Sequence, residues 1–464
     1  MKKPIEPTLC VAVWATLLAT GLGYSQHSKE GGQRPALLLI SIDGMRPDYV
    51  TKASEHGLKI PTLLELLKKG AHATGVRGVL PTVTYPSHTT LVTGVWPVRH
   101  GIYSNTTFDP LHKNMGGWYW YSRDIRVPTL FQAASHAGLR VASLSWPVTV
   151  AASGIAYLIP EYWRAATPDD LKLVDALSTP GLFPHLESEL GPYLTDLNRA
   201  LEGDRQRTRY SAAILRENKP DFMAVHLAAL DHLEHNTGPF SKESNDTLEE
   251  LDGMVRTLED AMHIAHPNAA ICIVSDHGFT RVDHHLHLLQ AFVAAQLVDV
   301  DPATTSWPTP KVLSWKASPW IEGGSAAVML KDANDNATRT KVEQLLQKLA
   351  SDPANGIAGV MDRKAIAALG GTSEAAFWIN MKSNYALDGA LREPLVAETK
   401  ISGAHGYSPA NPDLLASFLM AGPGIQAGLN LGEIDMRSIA PTLARYLKAE
   451  LPTADLPALD LTKR

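Results

Sequence analysis

Short apolar runs alternate along this chain with longer stretches of helical periodicity. Ala36 to Ile42 is a run too apolar to face water on either side, which predicts a buried strand ending at Asp43-Gly44. Asp221 to Ala229 predicts a second strand ending near Asp231, and Ala270 to Val274 a third ending at Asp276. Leu414 to Met420 predicts a fourth. Between them lie a helix over Pro61 to Lys69, opened by proline and closed by Gly70, and a long helix over Ser244 to Ala265 capped by Ser244 or Asn245. Arg437 to Lys448 predicts a closing helix. Strands alternating with helices imply an α/β fold with a mostly parallel central sheet flanked by helices. Three acidic residues then stand just past the carboxyl ends of three strands, the edge at which open α/β sheets bind ligands.

The rhythm fades from about Phe279 to Ile401, a stretch richer in Pro, Trp, Ala and Gly. It is expected to be an inserted cap over the site, so that residues 34–278 and 402–450 form the catalytic core and 279–401 the cap region. A second variable stretch, Phe108 to Pro192, is rich in aromatics.

The first residues change the picture of where the chain works. Lys2 and Lys3 precede an apolar run from Leu9 to Leu22, followed by small and polar residues from Gly23 to Gln26. This is the pattern of a signal peptide over residues 1–26, too short for a full membrane span. Cys10 lies inside the apolar run, which argues against a lipoprotein, and its removal leaves Cys272 alone. An exported chain without a disulfide fits a bacterial periplasm, or secretion, with no membrane span in the mature protein. The formal net charge of −6 leaves no basic footprint for a nucleic acid polymer. An acidic protein that handles phosphates must gather positive charge locally, and metal ions do so most simply.

Asp231-His232-Leu233-Glu234-His235 places carboxylate and imidazole at i and i+4, on one face of a helix, a combination that suits zinc. Asp276-His277-Gly278 follows a strand, where two adjacent ligands can turn inward and glycine permits a sharp exit. Each pattern also has a bland reading, a solvated pair or a capped strand end, and His405 says nothing alone. Thr84 is a candidate nucleophile at the start of a predicted helix whose N-terminus would favour a phosphate, or else simply an N-cap. His88 follows it at i+4 but is not obviously placed as its base. The histidines of Asp283-His284-His285-Leu286-His287 form a cluster outside these segments and are set aside.

Taken in order, the strand ending at Asp43, the PTVTYPSHTTLVTG segment around Thr84, HGIYSN from His100 to Asn105, DHLEH, SDHG and GAHGY resemble one family over roughly Ala36 to Leu447. It is the nucleotide pyrophosphatase/phosphodiesterase family of the alkaline phosphatase superfamily. The resemblance implies an alkaline-phosphatase-like fold and two zinc ions. One would be held by Asp231, His235 and His405, the other by Asp43, Asp276, His277 and the Thr84 oxygen. It implies a phospho-threonine on Thr84, with Asn105 and the Thr84 N–H holding a non-bridging phosphate oxygen. Asn105 also opens an Asn-Thr-Thr sequon, and a phosphate-binding asparagine should not carry a glycan. Tyr85 matches an aromatic position that stacks a nucleobase, and Tyr157, Tyr162 or Trp163 falls where a second platform is expected. Trp146 is better read as core packing, while Trp118 to Tyr121 lines the pocket or packs a loop. The expected partner is a small phosphate ester, a nucleotide or head-group diester.

Relatives of that superfamily supply the alternatives. A sulfatase would need an arginine that Thr84-Tyr85-Pro86-Ser87-His88 lacks. A phosphomonoesterase would bring an arginine to the phosphate. A phosphonoacetate hydrolase would want basic residues, for which Lys113, Arg123 and Arg126 are available. In another class altogether, a non-catalytic zinc-containing binding protein would keep the ligands without turnover.

Overall fold

Three strands lie side by side with their carboxyl ends level, and this alignment organises the molecule. In the computed structural model, which describes residues 34–114, 117–162, 165–196, 200–304 and 310–462, Leu37–Ile42 pairs in parallel with Phe222–Leu227 on one side and Ala270–Val274 on the other. Ile42 is level with Leu227, and Ser41 with both His226 and Val274. Val141–Leu144 and Tyr157–Ile159 extend the parallel set beyond Phe222–Leu227. On the opposite side Phe418–Ala421 runs antiparallel to Ala270–Val274, with the two-residue strands Ala71–His72 and Leu429–Asn430 completing an eight-stranded sheet. Residues 1–26, expected to be a signal peptide, lie outside the described residues.

Both faces of this sheet are covered, which is why its strands are apolar at successive positions. Alternate side chains point to opposite faces. Leu38, Ile40 and Ile42 pack with Met223, Val225 and Ile273 against Leu248, Leu251, Val255 and Leu258 of the Lys242–Ala265 helix. Leu37, Leu39, Phe222 and Cys272 pack on the other face, against Leu91 and Val92 of the Thr84–Thr93 helix and Ile439 and Leu443 of the closing helix Ile439–Tyr446. Each such aliphatic side chain contributes roughly 1.5–3 kcal/mol by leaving water.

Details depart from the expected boundaries. The long helix starts at Lys242, and its cap is Ser241, whose hydroxyl accepts from the Ser244 N–H. The fourth strand is Phe418–Ala421 and not Leu414 to Met420, because Pro412–Leu414 closes a 3₁₀ turn first.

The stretch without rhythm is largely antiparallel β. Thr280–His287 sits between Asn384–Asp388 and Val396–Ala404 in a three-stranded sheet. Ala317–Ile321, Ser325–Leu330, Ala375–Met381 and Ile357–Asp362 form a four-stranded sheet with their own apolar core around Val328, Val342, Leu346 and Ile379. Thr280–His287 begins three residues after His277, and Val396–Ala404 ends one residue before His405. Residues 35–464 form one compact unit.

Candidate metal and active site

Asp43 follows Leu37–Ile42 directly, and Asp276 and His277 follow Ala270–Val274 after one residue. Gly44 makes the exit from the first strand with φ +76°, and its N–H donates to Asp276 Oδ1 at 3.3 Å. A Cβ there would stand 2.7 Å from Glu234 Oε2, so the position requires glycine on both counts. Past Phe222–Leu227 the chain turns into the helix Ala229–Thr237, whose opening N–H groups, Ala228 and Ala229, donate to Asp204 at 3.1 and 2.7 Å. This helix sets Asp231 and His235 one turn apart.

Each imidazole is turned by a backbone carbonyl. His235 Nδ1 meets Gly403 O at 3.3 Å, His405 Nδ1 meets Thr82 O at 3.2 Å and His277 Nδ1 meets Gly278 O at 3.3 Å. An Nδ1–H donated this way leaves Nε2 with its lone pair facing the site. His235 Nε2 and His405 Nε2 both lie 3.6 Å from Asp231 Oδ1. His277 Nε2 lies 3.1 Å from Asp276 Oδ2 and 3.4 Å from Asp43 Oδ1. At this edge, among the described residues, two groups could therefore hold a metal ion: Asp231, His235 and His405, and Asp43, Asp231 and His277, each with donor atoms within 4.8 Å of one another. The carboxylate of Asp231 is common to both, which the resemblance did not imply. Asp276 joins through its contact with His277.

Asp43 Oδ1, Asp231 Oδ1, Asp276 Oδ2 and His277 Nε2 are buried without a hydrogen-bond partner among the described residues. Orphaned buried polar atoms are costly, and four of them converging on one place fit a cation. The electrostatics agree. Burial, then repulsion from Asp276 and Asp231, holds the Asp43 carboxyl well above the ordinary range. Burial opposes charge on His277, yet Asp276 and Asp43 raise it to about 9. Burial, then His277 and His235, pushes His405 well below the ordinary value. The acidic neighbours hold a proton on His277 where a cation would replace it, and carboxylates with imidazoles in this mixture suit zinc.

Thr84 is the first residue of a helix whose ten residues are all buried. Val83 is the N-cap, in extended conformation, so the Thr84 hydroxyl is not spent on capping. Pro86 is tolerated in the first turn because an N–H there would have no helical partner. The Tyr85 N–H donates to Asn105 Oδ1 at 2.8 Å. That bond identifies the amide oxygen and leaves the Asn105 Nδ2 donor for the cavity. His88 is not a base for Thr84: its Nδ1 meets the Thr84 carbonyl oxygen at 2.8 Å, its Nε2 meets Ser41 Oγ at 2.9 Å, and burial pushes its pKa down to about 3.

These residues open on a cavity of about 230 Å³ lined by Asp43, Thr84, Asn105, Asp231, His235 and His405, with Trp118, Asp196, Arg207 and His232 around them. None of its described lining residues falls between 279 and 401. Tyr85 does not reach it. Its ring is fully buried beneath Trp118, at a centroid distance of 5.2 Å, and Trp118 presents the aromatic surface instead. Tyr162 packs on Trp120 at 5.2 Å, and Trp120 stacks on Trp118 at 5.5 Å, so Tyr162 lies two rings back from the cavity. Trp146 is core, edge-on to His88 at 4.9 Å. Trp163 lies outside the described residues. Lys113, Arg123 and Arg126 do not line the cavity; Arg126 bonds Tyr103 and Arg123 sits over Tyr121. In the cluster set aside, His287 donates Nδ1–H to Asp388 at 2.7 Å and accepts from Arg392.

Sequence reasoning missed the layer behind the ligands. His226 Nε2 lies 2.9 Å from Asp43 Oδ2, and His226 Nδ1 lies 2.6 Å from Glu161 Oε2. Arg207 reaches Asp204 at 2.6 Å and Ser145 Oγ at 3.1 Å. A histidine in the otherwise apolar run Phe222–Leu227 was the visible signal.

The fold is that of the alkaline phosphatase superfamily, with a candidate metal centre at the carboxyl edge of its sheet. Residues 37–408 match the model of the type I phosphodiesterase / nucleotide pyrophosphatase family, and the chain belongs to that family. It is 26% identical over 259 residues to human ectonucleotide pyrophosphatase/phosphodiesterase family member 1, covering 53% of this chain and 24% of the relative. It is 24% identical over 264 residues to the venom phosphodiesterase of Naja atra, covering 54% and 27%. The match thus spans about a quarter of the length of these relatives. Among solved structures, human ectonucleotide pyrophosphatase/phosphodiesterase 5 superposes with a TM-score of 0.64 at 17% identity, covering 91% of this chain and 96% of that one. An inactive threonine-to-alanine variant of the murine counterpart, in complex with AMP, gives 0.62 at 17% identity, covering 92% and 97%. Among the described residues no helix is long and apolar enough to cross a membrane.

Proposed function

We propose that this protein is an exported two-zinc phosphodiesterase that hydrolyses small phosphate diesters, nucleotides among them, through a phospho-threonine on Thr84. One observation carries the reading: four orphaned metal-ligating atoms converge beside a threonine at the N-terminus of a buried helix. Asp231, His235 and His405 would hold one ion, and Asp43, Asp276 and His277 the other, with Asp231 near both. Bound zinc supplies the charge that makes a threonine hydroxyl acidic enough to attack and that neutralises phosphate oxygens. Thr84 Oγ1, having given its proton to solvent, would bond to phosphorus in line as the P–O bond to the leaving group breaks and that oxygen takes up a proton; water would later cleave the Thr84 O–P bond, releasing the phosphate and restoring the hydroxyl. The Asn105 amide N–H and the Thr84 backbone N–H hold a non-bridging oxygen as charge grows on it. Trp118 offers the face on which a nucleobase of the AMP type would stack.

The test is zinc content together with turnover of bis-p-nitrophenyl phosphate against p-nitrophenyl phosphate. The wild type is expected to hold two ions and prefer the diester. Thr84→Ala is expected to keep the fold and the metal and to lose turnover. Full activity in that variant would overturn the reading, and metal without turnover in the wild type would support a binding protein. A monoester preference in the same assay would instead establish a phosphomonoesterase.

A further inference from the structure

The Phe222–Leu227 strand turns Phe222, Ala224 and His226 to the same face of the sheet. The first two are apolar core. His226 ends that stripe at the carboxyl edge, level with Ser41, two residues before Asp43. It is fully buried, and so is Glu161, at 2% exposure. Neither has a role in the reaction described above, yet isolated charged groups are not left this deep without cause.

The bonds state the cause. His226 presents Nε2 to Asp43 Oδ2 at 2.9 Å. Its Nδ1 is fixed by Glu161 Oε2 at 2.6 Å and lies 3.2 Å from the Ser145 carbonyl oxygen. Held at both nitrogens, the ring cannot turn. It therefore ties down one oxygen of Asp43, and the other, Oδ1, is the orphan that faces His277. A carboxylate free to rotate would spend rotational entropy on binding a cation and would present either oxygen. This one is set beforehand.

We propose that Glu161 and His226 act as a positioning pair, which fixes Asp43 so that its Oδ1 is preset for the metal ion it shares with His277. The inference rests on the two-ion reading of the site. Partners behind metal ligands are typically worth about 10–100-fold in metal affinity. The pair touches Asp43 and not His235 or His405, so its effect should fall on one ion.

The test uses the full chain, stripped by a chelator and titrated with zinc by calorimetry, and with cobalt by visible absorption. In His226→Ala the weaker affinity should belong to one of two ions, by about 10–100-fold, while the other stays near the wild-type value. The cobalt bands of one equivalent should change and those of the other persist. His226→Gln, which keeps a donor where Nε2 stood, should recover part of the loss. A role confined to stability would lower the unfolding temperature of the Ala and Gln variants without separating the two ions. Should His226→Ala not fold, the near-isosteric Glu161→Gln is expected to weaken the same ion by about tenfold. Two ions bound with unchanged affinity and spectra in a folded His226→Ala or Glu161→Gln variant would overturn this inference alone. A wild-type protein that binds fewer than two ions would overturn the underlying reading, and this inference with it.

Discussion

Replacing Asp231 by Asn should move stability in opposite directions with and without metal, because the same carboxylate repels Asp43 and Glu234 when the site is stripped and, on the proposed reading, binds the ions when it is filled. Asp231 belongs to both ligand groups, with donor atoms within 4.8 Å of those of Asp43 and His277. Two unit charges at that separation and an effective dielectric constant of about 20 repel by about 3 kcal/mol. His277, held protonated to about 9, lies in the same group and attracts Asp231, which offsets much of this, while Glu234 adds repulsion, so relief of only about 1 kcal/mol is expected for the stripped variant. Asp231 Oδ1 has no hydrogen bond to lose. Burial and its imidazole neighbours hold His405 well below its ordinary value, so that ring brings no attraction at pH 8. An unfolding entropy of roughly 2.1 cal/mol/K per residue over about 430 residues converts 1 kcal/mol into about 1 °C. In chelator, then, the variant should unfold about 1 °C above the wild type. With zinc at a hundred times its dissociation constant each ion adds about 2.7 kcal/mol, so the wild type should rise about 6 °C and the variant far less. Scanning calorimetry of both proteins in both buffers would show the order reversing. A variant less stable than the wild type in both buffers would refute the reasoning, as would a wild type indifferent to zinc.

On the proposed mechanism Asn105→Ala removes a donor for developing charge, so kcat toward a diester should drop roughly 100- to 1000-fold with zinc content unchanged, which steady-state kinetics and metal analysis would check. Trp118→Ala should raise KM for a nucleotide diester by roughly 10–100-fold, from about 1–3 kcal/mol of lost stacking, while bis-p-nitrophenyl phosphate suffers less; equal losses on both would count against a base platform. Burial pushes Glu322 up to about 8, with only the Ser104 hydroxyl opposing. The folded state thus keeps a proton that the unfolded chain releases near 4.5, and the stability it gives is full below that pH and lost as pH rises through about 8. Urea unfolding at pH 6 and pH 9 should show Glu322→Gln flattening that decline by on the order of 2 kcal/mol, given partial exposure of the side chain; parallel curves would argue against it.

What the chain reveals locally, it reveals well. Leu37–Ile42 and Ala270–Val274 are strands because runs of large apolar side chains must be covered on two faces, and the acidic residues after them mark where that covering stops. Asp231 and His235 share a helix face because four residues make about one turn. The order of the motifs carried the family and the candidate ligands for the same reason: each motif is short-range, and a level parallel register brings the strand ends together.

Only the tertiary structure decided what depends on contact between distant segments. Asp43 and His226 are 183 residues apart, and His226 and Glu161 65 apart, so no spacing rule pairs them. Tyr85, expected at the cavity, is covered because the Thr84–Thr93 helix is buried all round, and of the two places open to Trp118, pocket lining or loop packing, the structure gives it the cavity surface. Periodicity reports which residues leave water, since burial acts on each side chain separately. Which buried polar atom meets which partner is set by the packing of the whole chain, and at this site the packing aims a histidine from one strand at the aspartate ending the next.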